Sequence, residues 1–249
     1  MQSWGGTPVR RTGARMGFVQ EHAIKALCLD IDGTLYPKRM LDLRMFRSVF
    51  PSLLLGLRFN AVRQKYRLNQ EEESTKPANR DGLLTRQAKL MVEQFGKPVT
   101  EKSALLMRKR IDGQFYDAWQ RTFLTIKPYS HMREALAMAK QEGLEIVVFS
   151  DFPVAQKLET LGIADLVDVA LSSEDSGYLK PSPKAFSYLL DHVKASPSEV
   201  LYVGDSYPKD CQGAKRAGMH SALITSSKKA YSDADLLISS WKEFISLVF

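Results

Sequence analysis

The sequence has few of the residues that build disulfide frameworks or zinc sites. Its 249 residues include two cysteines and four histidines, and the cysteines show no spacing typical of metal or redox motifs. We therefore expect Cys28 and Cys211 to be buried, inert thiols in a reducing compartment, and we expect the protein to be cytoplasmic. These absences disfavour both a disulfide-built secreted domain and a zinc-centred function.

The sequence also lacks an apolar run that could cross a bilayer, which requires ~20 residues. We therefore expect a soluble protein with no membrane partner. The first 20 residues contain no acidic residue, whereas Arg10, Arg11 and Arg15 are basic, and no apolar segment follows them. We therefore expect no secretory signal peptide. We predict a disordered tail over residues 1–21, with an organelle presequence or a start at Met16 as the alternatives.

What the sequence does have is a repeated alternation of strand and helix patterns. Hydrophobic residues make up 44% of the chain, which is enough for a substantial buried core. Three apolar runs, at residues 24–30, 144–149 and 200–203, each end in polar residues, and helical patterns lie between them. This alternation predicts an α/β fold with a doubly wound, mostly parallel sheet. Shorter predicted strands lie at 167–171, 221–224 and 236–238, and predicted helices at 129–142, 153–161, 183–193 and 209–217.

Residues 38–126 interrupt this alternation, because they contain no clear strand and show amphipathic helices at 83–95 and 103–119. We interpret them as a helical cap inserted after the first strand, which leaves 22–37 and 127–249 as the core. The insertion holds 18 Lys and Arg against 9 Asp and Glu. A basic lid would attract phosphate esters, and a solvated helical surface explains the charge equally well. No basic stretch has interleaved aromatic residues, so we expect no nucleic-acid partner.

The most informative segment follows the first predicted strand and has the sequence Asp30-Ile31-Asp32-Gly33-Thr34. Two carboxylates two residues apart at a strand end can face one site before glycine turns the chain. One carboxylate can attack phosphorus while the other donates a proton to the leaving oxygen. Because a carboxylate and a phosphate dianion repel each other, a cation must lie between them, and Mg²⁺ prefers such oxygen ligands. A turn before a helix or a calcium-type loop is the structural alternative.

This segment resembles the first motif, Asp-x-Asp-Gly-Thr, of phosphatases in the haloacid dehalogenase superfamily. Ser150, Lys180 and Asp205 match the second, third and fourth motifs in order, and Asp210 lies five residues beyond Asp205. Taken singly, Ser150 is typical of a helix N-cap, Lys180 of a solvated loop and Asp205 of a turn. The occurrence of all four motifs in this order favours the superfamily over these local explanations. The resemblance implies a Rossmann-like core and covers the chain from about residue 23 to the C-terminus, apart from the insertion.

The resemblance also implies a role for each matched residue. Asp30 would be the nucleophile, and Asp32 the acid and base, with its backbone carbonyl bound to Mg²⁺. Lys180 would hold the nucleophile and the phosphoryl oxygens together, which makes these three the implied catalytic residues. The implied phosphate-binding residues are Gly33, Thr34, Ser150, Asp151 and Lys180. The implied metal ligands are Asp30, Asp32, Asp205 and, through water or by supporting the other ligands, Asp210.

Asp32 directs the implied activity toward phosphate esters, because the dehalogenase, phosphonate-cleaving and ATPase branches of the superfamily lack an acid there. The resemblance therefore implies a Mg²⁺-dependent phosphatase that acts on a small phosphorylated metabolite through an aspartyl phosphate. A sugar phosphomutase is the alternative enzyme. A catalytically idle binding protein is the non-enzyme alternative, and the presence of Asp30, Asp32, Lys180 and Asp205 disfavours it.

The position of the insertion is similar to that of the helical cap in the phosphoglycolate phosphatase and nucleotidase-like branch. Asp151 departs from the pattern, since many relatives have asparagine after the motif hydroxyl.

Phosphosugars, nucleoside monophosphates and phosphoglycolate all fit the implied core, and the oligomeric state stays open. Candidate specificity residues on the cap are Arg44, Arg47 and Arg63, and the aromatic residues that fit either an interface or the cap core are Phe46, Phe50 and Phe59.

Overall fold

The computed structural model describes residues 16–39, 53–71, 79–227 and 229–249. The strands are β1 (Ala26–Leu29), β2 (Glu145–Ser150), β3 (Val169–Ser172), β4 (Val200–Gly204), β5 (His220–Ile224) and β6 (Leu236–Ile238). They form one sheet in the order β3-β2-β1-β4-β5-β6, and every neighbouring pair is parallel. In this doubly wound order the chain moves outward from β1 first to one side and then to the other. The predicted fold class is confirmed.

The helices cover both faces of this sheet and form the insertion. In chain order they are α1 (Phe18–Glu21), α2 (Leu53–Asn69), α3 (Arg80–Gln94), α4 (Glu101–Ile111), α5 (Asp117–Phe123), α6 (Met132–Gln141), α7 (Ala155–Leu161), α8 (Pro183–Leu190), α9 (Gln212–Arg216) and α10 (Trp241–Val248). A π-helical turn, Asp112–Tyr116, joins α4 to α5, and another, Tyr207–Cys211, precedes α9. A 3₁₀ turn, Ser173–Ser176, follows β3.

The central strand β1 is buried on both sides. Because side chains alternate along a strand, Leu27 and Leu29 join one hydrophobic core with α6 and α10, where Trp241 is buried. Cys28 joins the opposite core with α8, where Phe186 is buried. The two-sided burial explains why these strands appear in the sequence as continuous apolar runs.

Polar residues fix the starts of several helices. Ser182 caps α8 by accepting a hydrogen bond from the Lys184 backbone N–H, and Ser240 caps α10 in the same way. In the cap, Thr100 and Ser103 form a reciprocal capping box at the start of α4. Such caps satisfy backbone N–H groups that have no partner within the helix.

The cap has a hydrophobic core of its own, built mainly by α2, α3 and α4. Phe59 is buried there, and Leu179 of the core domain joins the same cluster. The predicted helices at 83–95 and 103–119 correspond to α3 and to α4 with its π-helical turn and α5. Burial in the cap core accounts for Phe59. The other cap candidates lie outside the described residues: Arg44, Arg47, Phe46 and Phe50.

The predicted start of the core at residue 22 is late. Phe18 and Val19 belong to α1 and are buried in the main hydrophobic core, where α1 packs against α10. Two apolar residues are too few to produce a periodic pattern in the sequence. Within residues 1–21, only 16–21 are described.

Both cysteines are free and buried, which confirms their predicted burial. Burial raises the pKa of Cys211 to about 12 and raises that of Cys28 further. A thiol with such a pKa is a poor nucleophile. Separately, none of the helices in the described ranges combines the length and the hydrophobicity that a bilayer crossing requires.

Candidate active site

Polar side chains gather where the central strands end. Asp30 follows β1, Ser150 ends β2 and Asp205 follows β4, and the backbone N–H of Asp30 donates to the Val203 carbonyl at 2.9 Å. Parallel strands in register place their carboxyl ends at one edge, which is where open α/β sheets bind ligands. The structure therefore brings these three predicted residues to one edge of the sheet.

Lys180 links two of the acidic residues at this edge. Its Nζ lies 2.7 Å from Asp30 Oδ1 and 2.7 Å from Asp210 Oδ1, and it donates to the Tyr202 hydroxyl at 2.9 Å. The side chain is fully buried. Burial alone lowers the pKa of a lysine, but the carboxylates of Asp210 and Asp30 hold the pKa of Lys180 well above its ordinary value. Lys180 is therefore a fixed positive charge at the centre of the site.

Three carboxylates form a cluster that could hold a cation. Asp30, Asp205 and Asp210 each offer one oxygen, and these oxygens lie within 4.8 Å of one another. Asp205 Oδ1 is buried and has no hydrogen-bond partner. Burial, together with the charges of Asp30 and Asp210, raises the pKa of Asp205 to about 7. A buried, unsatisfied oxygen among like charges fits a divalent cation, and an all-oxygen ligand set suits Mg²⁺.

One of the four implied metal ligands lies apart from the other three. Asp30, Asp205 and Asp210 belong to the carboxylate cluster, and Asp30 and Asp210 also bind Lys180. The Asp32 side chain does not belong to the cluster among the described residues. The metal-binding role of the Asp32 backbone carbonyl stays a prediction.

Gly33 allows Asp205 to approach the loop after β1. Its φ is +106°, and a Cβ built on it would lie 2.1 Å from Asp205 Oδ2. A larger residue would meet both backbone strain and a collision. Because Gly33 has no side chain, the Asp205 carboxylate can occupy the space that a Cβ would fill.

We expect Gly33→Ala to displace Asp205 and to weaken metal binding by about 10- to 100-fold, the effect of disturbing groups that orient metal ligands. The measurement is the Mg²⁺ concentration that gives half-maximal activity. Gly96→Ala is the matched control, since Gly96 has φ +65° with nothing within 4 Å of a built Cβ. Equal effects of the two substitutions would mean that backbone strain, and not the Asp205 contact, is responsible.

Asp32 is held by a cation that the sequence did not reveal. Lys157 Nζ lies 2.7 and 2.8 Å from the two Asp32 carboxylate oxygens. Ser150 Oγ donates to Asp32 Oδ2 at 3.2 Å, and the Tyr36 hydroxyl donates to Oδ1. Burial raises the pKa of a carboxyl group, but Lys157 and Tyr36 outweigh it and lower the pKa of Asp32. Lys157 lies within an ordinary helical pattern of α7, which gives no signal of this role.

Thr34 supports the other carboxylate of the motif. Its Oγ1 donates to Asp30 Oδ2 at 3.2 Å, and its backbone carbonyl accepts from Trp241 Nε1 at 3.1 Å. Trp241 is buried at the start of α10. The loop after β1 is therefore anchored to the core domain.

Asp151 binds donors from the core and from the cap. Arg67 of α2 donates to Asp151 Oδ2 at 2.8 Å, while Ser173 Oγ and the Lys180 backbone N–H donate to Oδ1 at 2.9 and 3.1 Å. Burial raises the pKa of a carboxyl group, but Arg67 and other nearby cations hold the pKa of Asp151 far below its ordinary value. An unpaired carboxylate would repel a bound phosphate. The donors around Asp151 neutralise its negative charge. Its role in phosphate binding stays a prediction.

A cavity of about 710 Å³ lies over Asp30 and Asp32, and α2 of the cap forms part of its wall. Arg63, the described cap candidate for specificity, lines this cavity but is 3% exposed and pairs with the fully buried Glu174 at 2.6 Å. Its Nη2 donates to the Asp151 carbonyl at 2.9 Å. Lys38 and Lys209, which sequence reasoning did not single out, also line the cavity.

Comparison with known proteins places this site in a family. A profile of haloacid dehalogenase-like hydrolases matches residues 24–218. The chain is 30% identical over 224 residues to a glyceraldehyde 3-phosphate phosphatase from Methanopyrus kandleri, an alignment covering 85% of this chain and 88% of the relative. Among solved structures, a 2-haloacid dehalogenase from Pseudomonas syringae has a TM-score of 0.62 at 22% identity and covers 90% of this chain and 97% of its own. YfnB from Bacillus subtilis, solved bound to magnesium, has a TM-score of 0.62 at 15% identity, with coverage of 90% and 98%.

Proposed function

The chain belongs to the haloacid dehalogenase-like hydrolase family, and from this premise we propose that it is a Mg²⁺-dependent phosphatase of small phosphate monoesters. Asp30 is the nucleophile in this proposal. The supporting observation is that the Lys180 ammonium group binds both Asp30 and Asp210, each at 2.7 Å. The name of the Methanopyrus kandleri relative also supports a small phosphate ester as substrate.

In the first step, a carboxylate oxygen of Asp30 attacks phosphorus, and the bond between phosphorus and the leaving oxygen breaks. Asp32 lies two residues from Asp30, is oriented by Lys157 and Tyr36, and gives its proton to the leaving oxygen. Because these contacts lower the Asp32 pKa in the free protein, Asp32 takes up this proton when the anionic ester binds. In the second step, water attacks the phosphorus of the aspartyl phosphate while Asp32 accepts a proton from it. The bond between Asp30 and phosphorus breaks, and inorganic phosphate leaves.

The remaining residues of the site neutralise and orient the phosphoryl group. Lys180 is the buried cation next to Asp30, and Ser150 presents a hydroxyl at the end of β2. Asp30, Asp205 and Asp210 would hold Mg²⁺, and the bound ion would reduce the repulsion between the nucleophile and the phosphate dianion. The unsatisfied Asp205 oxygen is the observation in favour of this assignment.

The metal part of the proposal predicts that a chelator abolishes activity. Hydrolysis of p-nitrophenyl phosphate is expected to fall at least about 100-fold in EDTA, because charge stabilisation by a metal contributes several kcal/mol to the transition state. Excess Mg²⁺ should restore the rate. Activity that persists unchanged after exhaustive chelation would overturn the metal assignment while leaving Asp30 as a possible nucleophile.

A further inference from the structure

The cap helix α2 presents one face to the cavity over Asp30. Five of its residues line the cavity, and their spacing of three or four positions places them on adjacent turns of that face. Because Asp30 and the other proposed catalytic residues lie on the core domain, this face of α2 is expected to contact the leaving group of the substrate. The residues are Phe59, Asn60, Arg63, Gln64 and Arg67.

The two arginines on this face already have anionic partners. Arg63 pairs with Glu174 at 2.6 Å, and Arg67 pairs with Asp151 at 2.8 Å. Both partner carboxylates are almost fully buried, so their charges are weakly screened by water. Neither arginine is therefore available as a free cation for a carboxylate on the substrate.

Among the residues that the structure describes, the charges around the cavity are balanced. Four cations and three carboxylates line it, and the groups that contact or adjoin them add two lysines and three acids. A divalent cation and a phosphate dianion would cancel each other, so these described groups leave no net positive charge for a second anion. The cations are Lys38, Arg63, Arg67, Lys209, Lys157 and Lys180, and the acids are Asp30, Asp32, Asp151, Glu174, Asp205 and Asp210.

Three cations of this region add no positive charge at the leaving-group end. Lys38 lines a neighbouring cavity with Gly33 and Asp205, and Lys209 lies in the π-helical turn after Asp205, so both belong to the reacting end. Arg80 is the second partner of Glu174, but it is more than one-third exposed and does not line the cavity. Water therefore screens much of its charge.

Asn60 and Gln64 are the uncharged polar groups of this face. Both are exposed to the cavity, and neither side chain has a hydrogen-bond partner among the residues that the structure describes. A side-chain amide both donates and accepts, which matches the two capacities of a hydroxyl group. One turn apart on the helix, the two amides can bind neighbouring hydroxyl or carbonyl oxygens of one substrate.

We propose that Asn60 and Gln64 determine specificity by binding the hydroxyl groups of a neutral, polyhydroxylated leaving group, so that the substrates are polyol or sugar phosphates and not phosphorylated carboxylic acids. The inference rests on the proposed phosphatase function. The basic composition of the cap does not contradict it, because the cap arginines on this face are paired with buried acids. A site that hydrogen-bonds hydroxyls discriminates strongly against substrates that lack them.

The first test compares kcat/KM for glycerol 3-phosphate and erythrose 4-phosphate with that for phosphoglycolate, using p-nitrophenyl phosphate as the reference ester. We expect the two neutral esters to exceed phosphoglycolate by at least about tenfold, or 1.4 kcal/mol, because desolvating a carboxylate without a counter-charge is unfavourable. A preference for phosphoglycolate would overturn the inference. A lack of hydrolysis of every ester, including the reference, would instead contradict the proposed function.

The second test changes the amides. Asn60→Leu and Gln64→Leu should each lower the ratio of kcat/KM for erythrose 4-phosphate to that for the reference ester by about tenfold or more. Asn69→Leu is the matched control, since Asn69 is exposed on the same helix but does not line the cavity. Gln64→Lys adds an unpaired cation and should raise phosphoglycolate relative to erythrose 4-phosphate. Unchanged ratios in the Asn60 and Gln64 variants would overturn the inference.

Discussion

Asp30→Asn is expected to lower kcat for phosphate ester hydrolysis by roughly 10⁴-fold or more, the scale of effect seen when a catalytic nucleophile is removed. The amide is a poor nucleophile, and it also removes one of the three carboxylates expected to hold the metal. The measurement is single-turnover and steady-state hydrolysis of p-nitrophenyl phosphate at saturating Mg²⁺. A variant with full activity would show that Asp30 is not the nucleophile.

The same substitution should leave the fold intact, so that lost activity can be attributed to chemistry. Burial and the Asp210 charge raise the pKa of Asp30 against the opposing effect of Lys180, so the fold loses little electrostatic stabilisation when an amide of the same shape replaces this carboxyl group. Lys180 keeps its ion pair with Asp210 when Asp30 becomes neutral. Circular dichroism and Tm should therefore stay close to those of the wild type. Asp191→Asn, at an exposed position after α8, is the matched control for the chemical change.

Much of the site could be predicted because its residues follow strands. Asp30, Ser150 and Asp205 stand at the ends of apolar runs, and the doubly wound sheet necessarily brings such ends together. Lys180 is different, since it lies in a loop beyond the 3₁₀ turn, where no periodic pattern exists. Only its place in a series of motifs indicated a role.

The rest depends on how the cap sits on the core, which no local pattern specifies. Arg67 and Asp151 are 84 residues apart, and Arg63 and Glu174 are 111 apart. A count of charges in the insertion fitted a basic lid and a solvated helical surface equally well, and it could not show that these arginines meet buried acids. Lys157 was missed for a related reason, because a lysine in an amphipathic helix is usually solvated.

The pair between Arg63 and Glu174 is also the basis of the largest expected effect on stability. Glu174 is fully buried in the 3₁₀ turn after β3, and it accepts hydrogen bonds from three cap side chains: Arg63 at 2.6 Å, the Tyr116 hydroxyl at 2.7 Å and Arg80 at 3.1 Å. Removing one partner of a buried ion pair leaves the other charge uncompensated in a medium where water cannot solvate it. Glu174 therefore joins the cap to the core domain.

We expect Glu174→Ala to lower the free energy of unfolding by about 3–5 kcal/mol, mainly because Arg63 is left as a buried, unpaired cation. For a chain of this size the Tm should fall on the order of 10 °C.

The double variant Glu174→Leu with Arg63→Met removes both charges and should recover most of that loss, since replacing a buried pair with apolar groups is often nearly neutral. Asp165→Ala, which breaks an exposed pair with Arg133, should leave Tm close to the wild type because water screens such pairs. If the double variant were as unstable as Glu174→Ala, the stabilisation would come from packing around Glu174 and not from compensation of the Arg63 charge.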